Sequence, residues 1–423
     1  MRTGWHPSIQ PRLLRTAGEG REDIAAYRAV GGYAAGLDGD ALLHAVERSG
    51  LRGRGGAAFP AAIKWRAVAG RGGARHVVAN GEEGEPASLK DRYLLRVRPH
   101  LVIDGMLRTA RALGATHLVI YLADAEAERS ARRALSELDE SDVRRDAGIE
   151  IEVVAVVHSY VGGEETAAVR AIDGGPAKPT TKPPRPFEIG VRGESTLVQN
   201  VETLANVPFI ALHGPEGFRA YGTERSPGTI LFTACGRCAA PGLYEIPLGL
   251  QMSEVFALAG GWSEPARGFL MGGYFGGMLG ARGAELPVAY DELREAGSAL
   301  GCGAVTALGG HDCAVCVAAK VMSYFSDEQS GQCGVCTRGT ASMADALQAL
   351  AVGHADEAQL RNLERWSQSL PGRGACALLD GAATLAATLL REFPDIVDAH
   401  LRSSCEICGA QSDHHELRAV VAH

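Results

Sequence analysis

The chain has 423 residues, 46% of them hydrophobic and 22% charged, with a formal net charge of −8. That is an ordinary globular composition with room for two or three cores, and its acidic balance argues against a nucleic-acid-binding surface. No run of about 18 apolar residues is present to insert into a membrane, and residues 1–14 carry arginines without the apolar stretch of a secretory leader. The expected location is therefore cytoplasmic, or peripheral to a membrane complex through a partner.

In chain order, residues 1–25 read as an N-terminal extension. Gly53-Arg54-Gly55-Gly56 then precedes a helix expected over 57–67. Closely spaced glycines let successive backbone N–H groups turn toward an anion, and a helix start adds positive partial charge. A plain turn accounts for the same residues. The strand Arg75–Asn80 (RHVVAN) ends in a polar loop over 81–86, where Asn80, Glu82, Glu83 and Glu85 crowd together. Such a loop suits a solvated surface, a hard-cation site, or hydrogen bonding to ribityl or ribose hydroxyls. A helix at 101–113, a strand at 116–123, a helix at 126–138 and a strand at 149–158 follow. A turn at Gly162-Gly163 then leads into a helix through Ile172, and its acidic pair Glu164-Glu165 is open to the same three readings. This alternation is βαβ logic, a mostly parallel sheet covered by helices. Ligands collect at the carboxyl ends of such strands, where both polar loops lie.

Residues 174–186 (GGPAKPTTKPPRP) are too rich in glycine and proline for a helix interior and read as an ordered surface loop. Residues 229–286 carry short strands, glycine turns and a helix near 253–258, a small α+β module. Beyond about Gly310 the pattern is helical. Val317, Val321 and Phe325 share a face, as do Met343, Leu347 and Leu350, then Leu360, Leu363 and Trp366, then Leu378, Ala382, Leu385 and Leu389. Four amphipathic helices in succession read as a bundle.

Eight of the ten cysteines form C-x-x-C pairs: Cys235/Cys238, Cys313/Cys316, Cys333/Cys336 and Cys405/Cys408; Cys302 and Cys376 stand alone. A reducing compartment disfavours structural disulfides, so the pairing points to metal or redox chemistry. Any one pair is also compatible with small buried hydrophobes. Cys313/Cys316 and Cys333/Cys336, sixteen residues apart, match a zinc-ribbon spacing. The segment between them, however, reads as helix rather than hairpin. For Cys235/Cys238, zinc, a redox pair and simple burial all stay open.

Four segments carry a family resemblance: 49–65 (SGLRGRGGAAFPAAIKW), 80–92 (NGEEGEPASLKDR), 160–167 (YVGGEETA) and 198–207 (VQNVETLANV). It continues through 244–249 (YEIPLG), 272–276 and 293–303 (LREAGSALGCG). In this order and with similar gaps, the chain resembles the NADH-oxidising flavoprotein subunit of respiratory complex I over nearly its whole length. Related subunits of soluble NAD-linked hydrogenases and formate dehydrogenases share the pattern. The implied fold is α/β: a Rossmann-like flavin domain over 26–225, a small β-grasp-like domain of the soluble-ligand-binding type over 226–300, and a helical iron–sulfur domain over 301–423.

The resemblance implies FMN held by Gly53, Gly55, Gly56, Lys64, Asn80, Glu82, Glu83, Tyr160, Gly163, Glu164, Glu165 and Asn200. It implies a nicotinamide nucleotide held by Phe59, Glu85 and Lys182, with Arg185 beside them. The implied activity is that of an NAD(P)H dehydrogenase. Hydride transfer of this kind needs orientation rather than a protein nucleophile or an acid–base dyad. Ser330, Cys333, Cys336 and Cys376 match the family's motif for a 4Fe–4S cluster, with Ser330 where the first cysteine would stand. The ligand set is thus atypical, and Cys405 or Cys408 is an alternative fourth ligand. The implied partner is a redox protein such as a thioredoxin-like 2Fe–2S protein or a ferredoxin. Two aromatic positions of the nucleotide site are replaced, by Ala67 and Arg185; the guanidinium of Arg185 suits an adenine face or a 2′-phosphate, and a solvated surface arginine accounts for it as well. Two other functions fit the sequence less fully: a non-catalytic relay or assembly subunit, and a zinc-stabilised interaction protein.

Overall fold

The computed structural model describes residues 1–15, 20–141, 143, 148–402 and 405–409. They form two compact units, one built from Met1–Gly84, Leu89–Leu231 and Leu243–Gly249, the other from Glu85–Ser88, Phe232–Gly242 and the chain from Leu250 onward. The residues expected as a small domain at 226–300 and a helical domain from 301 fall largely in the second unit.

The first unit is organised by a four-stranded sheet in the order Glu150–Ala155, His117–Leu122, Arg75–Asn80, Ser195–Asn200. Every neighbouring pair is parallel. Alternate residues divide between two faces. Val77, Ala79, Leu118 and Ile120 enter one core with Leu94, Val102 and Met106. Val78, Val119, Tyr121 and Val198 enter another with Ala168 and Val191. Burial on both faces explains why these strands are near-continuous apolar runs. The expected helices at 101–113 and 126–138 are present as Pro99–Leu113 and Ala125–Asp139. The first starts earlier because proline suits an initial turn, where its missing N–H has no helical partner to lose.

Residues 1–15, expected as an extension, are tied into this unit. Thr3–Trp5 pairs in parallel with Gly242–Pro247. The backbone N–H groups of Arg12, Leu13 and Leu14 all donate to Glu245 Oε2, at 3.0, 2.9 and 3.1 Å. One buried carboxylate thereby satisfies three consecutive donors that lie outside any regular element.

In the second unit the Ala304–Leu308 strand runs parallel to Thr229–Gly236 and antiparallel to Gly268–Leu270, which in turn pairs antiparallel with Met278–Gly280. The four expected amphipathic helices are Ala314–Asp327, Gly334–Ala351, Glu357–Ser369 and Leu378–Glu392, and Pro394–Leu401 and Glu406–Gly409 follow. Their apolar faces close on one another: Val317, Val321, Phe325, Met343, Leu347, Leu350, Leu363, Leu385 and Leu389 are all buried. The Leu378–Glu392 helix is pinned to the sheet by Met278 N–H donating to Thr388 Oγ1 at 2.8 Å. Among the described residues no helix is long and apolar enough to cross a membrane.

Candidate functional site

The register of the parallel sheet brings the predicted loops together. Asn80 ends its strand directly opposite Tyr121 on one side and Asn200 on the other. The acidic loop, the 158–165 loop and the start of the Val201–Ala205 helix all leave from this carboxyl edge, which is where open parallel sheets bind ligands.

Asn80 Nδ2 donates to the Gly163 carbonyl at 2.7 Å. Glu82 Oε1 accepts from His158 Nδ1 at 2.9 Å and from Ser159 N–H at 3.2 Å. Backbone approach here is close enough to require glycine. A Cβ at Gly163 would lie 2.7 Å from the Glu82 carbonyl oxygen, and one at Gly84 would lie 2.5 Å from the Tyr160 carbonyl oxygen. These distances are the physical reason for glycine in two of the motifs.

The glycine loop differs from its expected form. The helix begins at Ala61 rather than 57 and runs to Ala69. The loop instead closes on itself, with Gly53 N–H donating to the Phe59 carbonyl at 2.8 Å and Ala61 N–H to the Leu51 carbonyl at 2.9 Å. Arg54 is buried beneath it: its N–H donates to Thr203 Oγ1 at 2.8 Å and its Nη2 to the Thr229 carbonyl at 3.0 Å. Gly55 faces Asn200, whose Cβ would be 3.2 Å from an added Cβ. Phe59 stays exposed.

Lys64, Glu164, Glu165 and Lys182 form one charged network. Lys64 Nζ donates to Glu165 Oε2 at 2.9 Å, and Lys182 Nζ donates to Glu164 Oε1 at 2.7 Å and Glu165 Oε1 at 3.4 Å. Burial works against the Glu165 charge, but the two lysines outweigh it and hold the carboxyl below its ordinary value. Burial likewise opposes the Lys182 charge, and the two carboxylates more than offset it. Glu164 also caps the Glu165–Ile172 helix through Thr166 N–H at 2.8 Å. The Arg185 guanidinium is more than half exposed and lies 3.9 Å from Glu165 Oε1; Ala67 sits on the Ala61–Ala69 helix.

Glu83 is turned to a different task from its neighbours. It accepts from the backbone N–H groups of Asp91 and Arg92, both at 3.1 Å, and from Arg92 Nε at 2.9 Å, at the start of the Lys90–Val97 helix. Glu85 belongs to the second unit, where its carboxylate accepts from Tyr274 N–H at 2.9 Å.

One feature that spacing could not reveal supports the loops from beneath. Lys90, fully buried, lies 2.7 Å from Asp91 Oδ1 and 3.3 Å from Glu202 Oε2. Its Nζ also donates to Asn200 Oδ1 at 3.3 Å, and Asn200 Nδ2 donates to Asp91 Oδ2 at 2.8 Å. Burial alone would strip the proton from such a lysine, but the carboxylates of Asp91, Glu202 and Glu83 hold it on. The only surface signal is the local string LKDR, which reads equally well as a solvated helix start.

These residues fit a flavin mononucleotide on one structural criterion. Glu82 Oε2 is buried without a hydrogen-bond partner in the described protein, and native structures rarely leave such an oxygen unmet. A ribityl hydroxyl is a donor of the right kind.

The second unit holds the candidate cluster ligands. Cys333 caps the Gly334–Ala351 helix and Cys336 is buried in its first turn. The backbone N–H groups of Cys336, Ala375 and Val335 lower the Cys333 thiol's affinity for its proton. The Cys336 thiol is pushed up to about 12 by burial and then by the neighbouring sulfurs of Cys376 and Cys333. The sulfurs of Cys333, Cys336 and Cys376 are thus near enough to act on one another electrostatically, and three thiols are a donor set that suits iron–sulfur ligation. Ser330 lies just before this helix. The zinc-ribbon pairing does not form, since Cys313 gathers with His400, Cys405 and Cys408 instead. Cys405 and Cys408, the alternative fourth ligands, belong to that group. Cys235 and Cys238 are reduced, and burial raises both thiols, Cys235 to about 12.

Comparison with known proteins gives a consistent picture. Residues 46–209 match the family model described as the Nuo51 FMN-binding domain, and residues 316–400 that of the NADH-ubiquinone oxidoreductase-F iron-sulfur binding region. The NADH-quinone oxidoreductase F-subunit 2 of Rhizobium meliloti is 32% identical over 397 residues, covering 89% of this chain and 94% of the relative. The HndC subunit of the NADP-reducing hydrogenase of Solidesulfovibrio fructosivorans is 32% identical over 372 residues, covering 84% of this chain and 75% of the relative. The crystal structure of an NAD+-reducing NiFe-hydrogenase in the air-oxidized state superposes with a TM-score of 0.79 at 31% identity. That match covers 86% of this chain, which spans 63% of the hydrogenase chain.

Proposed function

This chain belongs to the family of NADH-quinone oxidoreductase F subunits, and we propose on that premise that it is an FMN-dependent NAD(P)H dehydrogenase subunit. Its electrons leave through an iron–sulfur cluster to a partner redox protein, with a thioredoxin-like 2Fe–2S protein or a ferredoxin the preferred partner class. Its place is the cytoplasm or the periphery of a membrane complex. The observation that carries this reading is the carboxyl edge of the sheet, where Asn80 stands beside Asn200 and donates to Gly163, and where Glu82 keeps a buried carboxylate oxygen without a donor.

Bound FMN would supply the chemistry: it accepts a hydride as two electrons and passes them on one at a time. The chain's own residues bind and orient. Glu82 offers an acceptor to a ribityl hydroxyl, and the self-closed loop through Gly53, Gly55 and Gly56 lets backbone approach an anionic group. Tyr160, Glu164, Glu165, Asn200 and Lys64 complete the flavin set. The network Lys64–Glu165–Lys182–Glu164 ties two lysines to two carboxylates, so the charges balance and the side chains are held in fixed orientation within the proposed sites. Phe59 offers an exposed ring to a base or nicotinamide, with Lys182 and Arg185 in the proposed nucleotide set. Glu83 supports the site through the helix start it caps. In the second unit Cys333, Cys336 and Cys376 are the proposed cluster thiolates, with Ser330 as the fourth ligand.

The first test is spectroscopic. Purified protein reconstituted with FMN should show bound-flavin absorbance, and anaerobic NADH or NADPH should bleach it. Failure to take up FMN would sink the assignment. Retained flavin that neither nucleotide bleaches would instead favour a non-catalytic relay.

Nucleotide choice is a separate expectation. Replacement of aromatics by Ala67 and Arg185 removes stacking that NADH and NADPH would share equally. Arg185 can add a charge-assisted hydrogen bond to a 2′-phosphate, which NADH lacks. Arg185→Phe should therefore raise the efficiency of flavin reduction by NADH about five-fold, the equivalent of roughly 1 kcal/mol of ring stacking. It should also lower any preference for NADPH. An unchanged ratio of the two efficiencies would make Arg185 a bystander.

A further inference from the structure

We infer that Cys313, His400, Cys405 and Cys408 form a second metal centre, a closed tetrahedral zinc site separate from the cluster cysteines. The four ligand atoms all lie within 4.8 Å of one another. Cys313 Sγ is 3.1 Å from His400 Nε2, and Cys408 Sγ is 3.6 Å from the same nitrogen. A zinc ion bound at about 2.3 Å to sulfur and 2.0–2.1 Å to nitrogen sets tetrahedral edges of roughly 3.5–3.8 Å between ligand atoms. The 3.6 Å pair falls in that range, the 3.1 Å pair lies just below it, and with all four atoms within 4.8 Å the group is compact enough to close on one ion. A cluster would set its thiolates on different irons, farther apart.

The orientation of His400 is the second observation. Its ring is buried, and Nδ1 lies 3.0 Å from the Leu350 carbonyl oxygen. A carbonyl only accepts, so Nδ1 carries the proton and Nε2 presents its lone pair to the sulfurs. Metal-bound histidines are commonly held this way, by a carbonyl that fixes the tautomer and the ring plane.

The ligands come from separate chain segments. Cys313 caps the Ala314–Asp327 helix, His400 sits in the last turn of Pro394–Leu401, and Cys405 and Cys408 flank the start of the final short helix. The Leu350 carbonyl adds the C-terminal end of Gly334–Ala351. One ion would thus clamp the chain after Phe393 onto two helices of the bundle. Three of the four ligands lie outside residues 316–400, the matched iron-sulfur binding region. Cys316, whose Sγ is 3.2 Å from that of Cys408, stays a thiol hydrogen-bonded to the Cys408 sulfur rather than a ligand. On binding, three thiols each release a proton and the neutral imidazole releases none. Nothing is oxidised or reduced. With all four positions filled by protein the site is structural, not catalytic.

The test is metal analysis of the full chain purified anaerobically, with X-ray absorption at the zinc edge. About one zinc per chain in a shell of three sulfurs and one nitrogen is expected. Cys405→Ser, Cys408→Ser and His400→Ala should each lower zinc at least ten-fold, whereas Cys316→Ser and Cys336→Ala should keep it. Chelation should expose the chain after Phe393 to proteolysis while flavin stays bound. Iron in place of zinc, full zinc in Cys408→Ser, or zinc lost with Cys336→Ala would each overturn the assignment. If the ligand variants fold poorly, the wild-type absorption edge decides alone. Loss of this site would leave the flavin reading untouched, because FMN uptake is measured independently.

Discussion

Replacing Cys336 by alanine is expected to take the cluster iron out of the protein and leave the flavin in place. Cys336 is buried in the first turn of its helix, beside Cys333 and Cys376. With one thiolate lost, the remaining set is two cysteines and Ser330, whose alkoxide is harder and far less readily formed than a thiolate. Iron should fall from roughly four atoms per chain, the content of one 4Fe–4S cluster, to near zero, with the broad visible absorbance falling in parallel. FMN should be retained, since its proposed residues belong to the first unit. Iron quantified against flavin in the same sample reads both outcomes. Unchanged iron in this variant would rule out the ligand assignment. Ser330→Cys is the companion variant: if Ser330 is the fourth ligand, a thiolate there should shift the reduction potential and raise cluster stability.

The second large effect is expected at Lys90. Its ammonium is fully buried among Asp91, Glu202 and Asn200, so Lys90→Met leaves two carboxylates in the interior without their cation. Breaking a buried ion pair by removing one partner costs about 3–5 kcal/mol. For a unit of this size that lowers the unfolding midpoint by something on the order of 10 °C. Flavin affinity should also weaken, because Asn200 is held by both Lys90 and Asp91. The triple variant Lys90→Met, Asp91→Asn, Glu202→Gln should recover much of the lost midpoint, since no uncompensated charge remains. Thermal unfolding of wild type, single and triple variants decides. A single variant as stable as wild type would mean that water already screens the cluster.

Much of this architecture is legible from local pattern. The strand at Arg75–Asn80 and the four bundle helices appear where expected, because burial of one face or two imposes a period that survives in the residues themselves. Family motifs locate the loops for the same reason: glycine at 84 and 163 is required by backbone contacts of under 3 Å. The charge balance is equally readable, as is the absence, among the described residues, of a helix long and apolar enough to cross a membrane.

What spacing along the chain could not supply is register and partnership across long separations. That Asn80 stands beside Asn200 follows from strand pairing. That Glu83 caps a helix while adjacent Glu82 faces the site follows from where that helix begins. The C-x-x-C pairs can be counted in the sequence, but the zinc-ribbon grouping fails, because a two-residue gap says only that both sulfurs can face one point. Which distant residue shares that point was decided by helix packing, which carries His400 to Cys313 across 87 positions of chain. That histidine escapes notice in the sequence because a single imidazole in an amphipathic helix looks like any core polar residue until its two nitrogens acquire a carbonyl and a set of thiols.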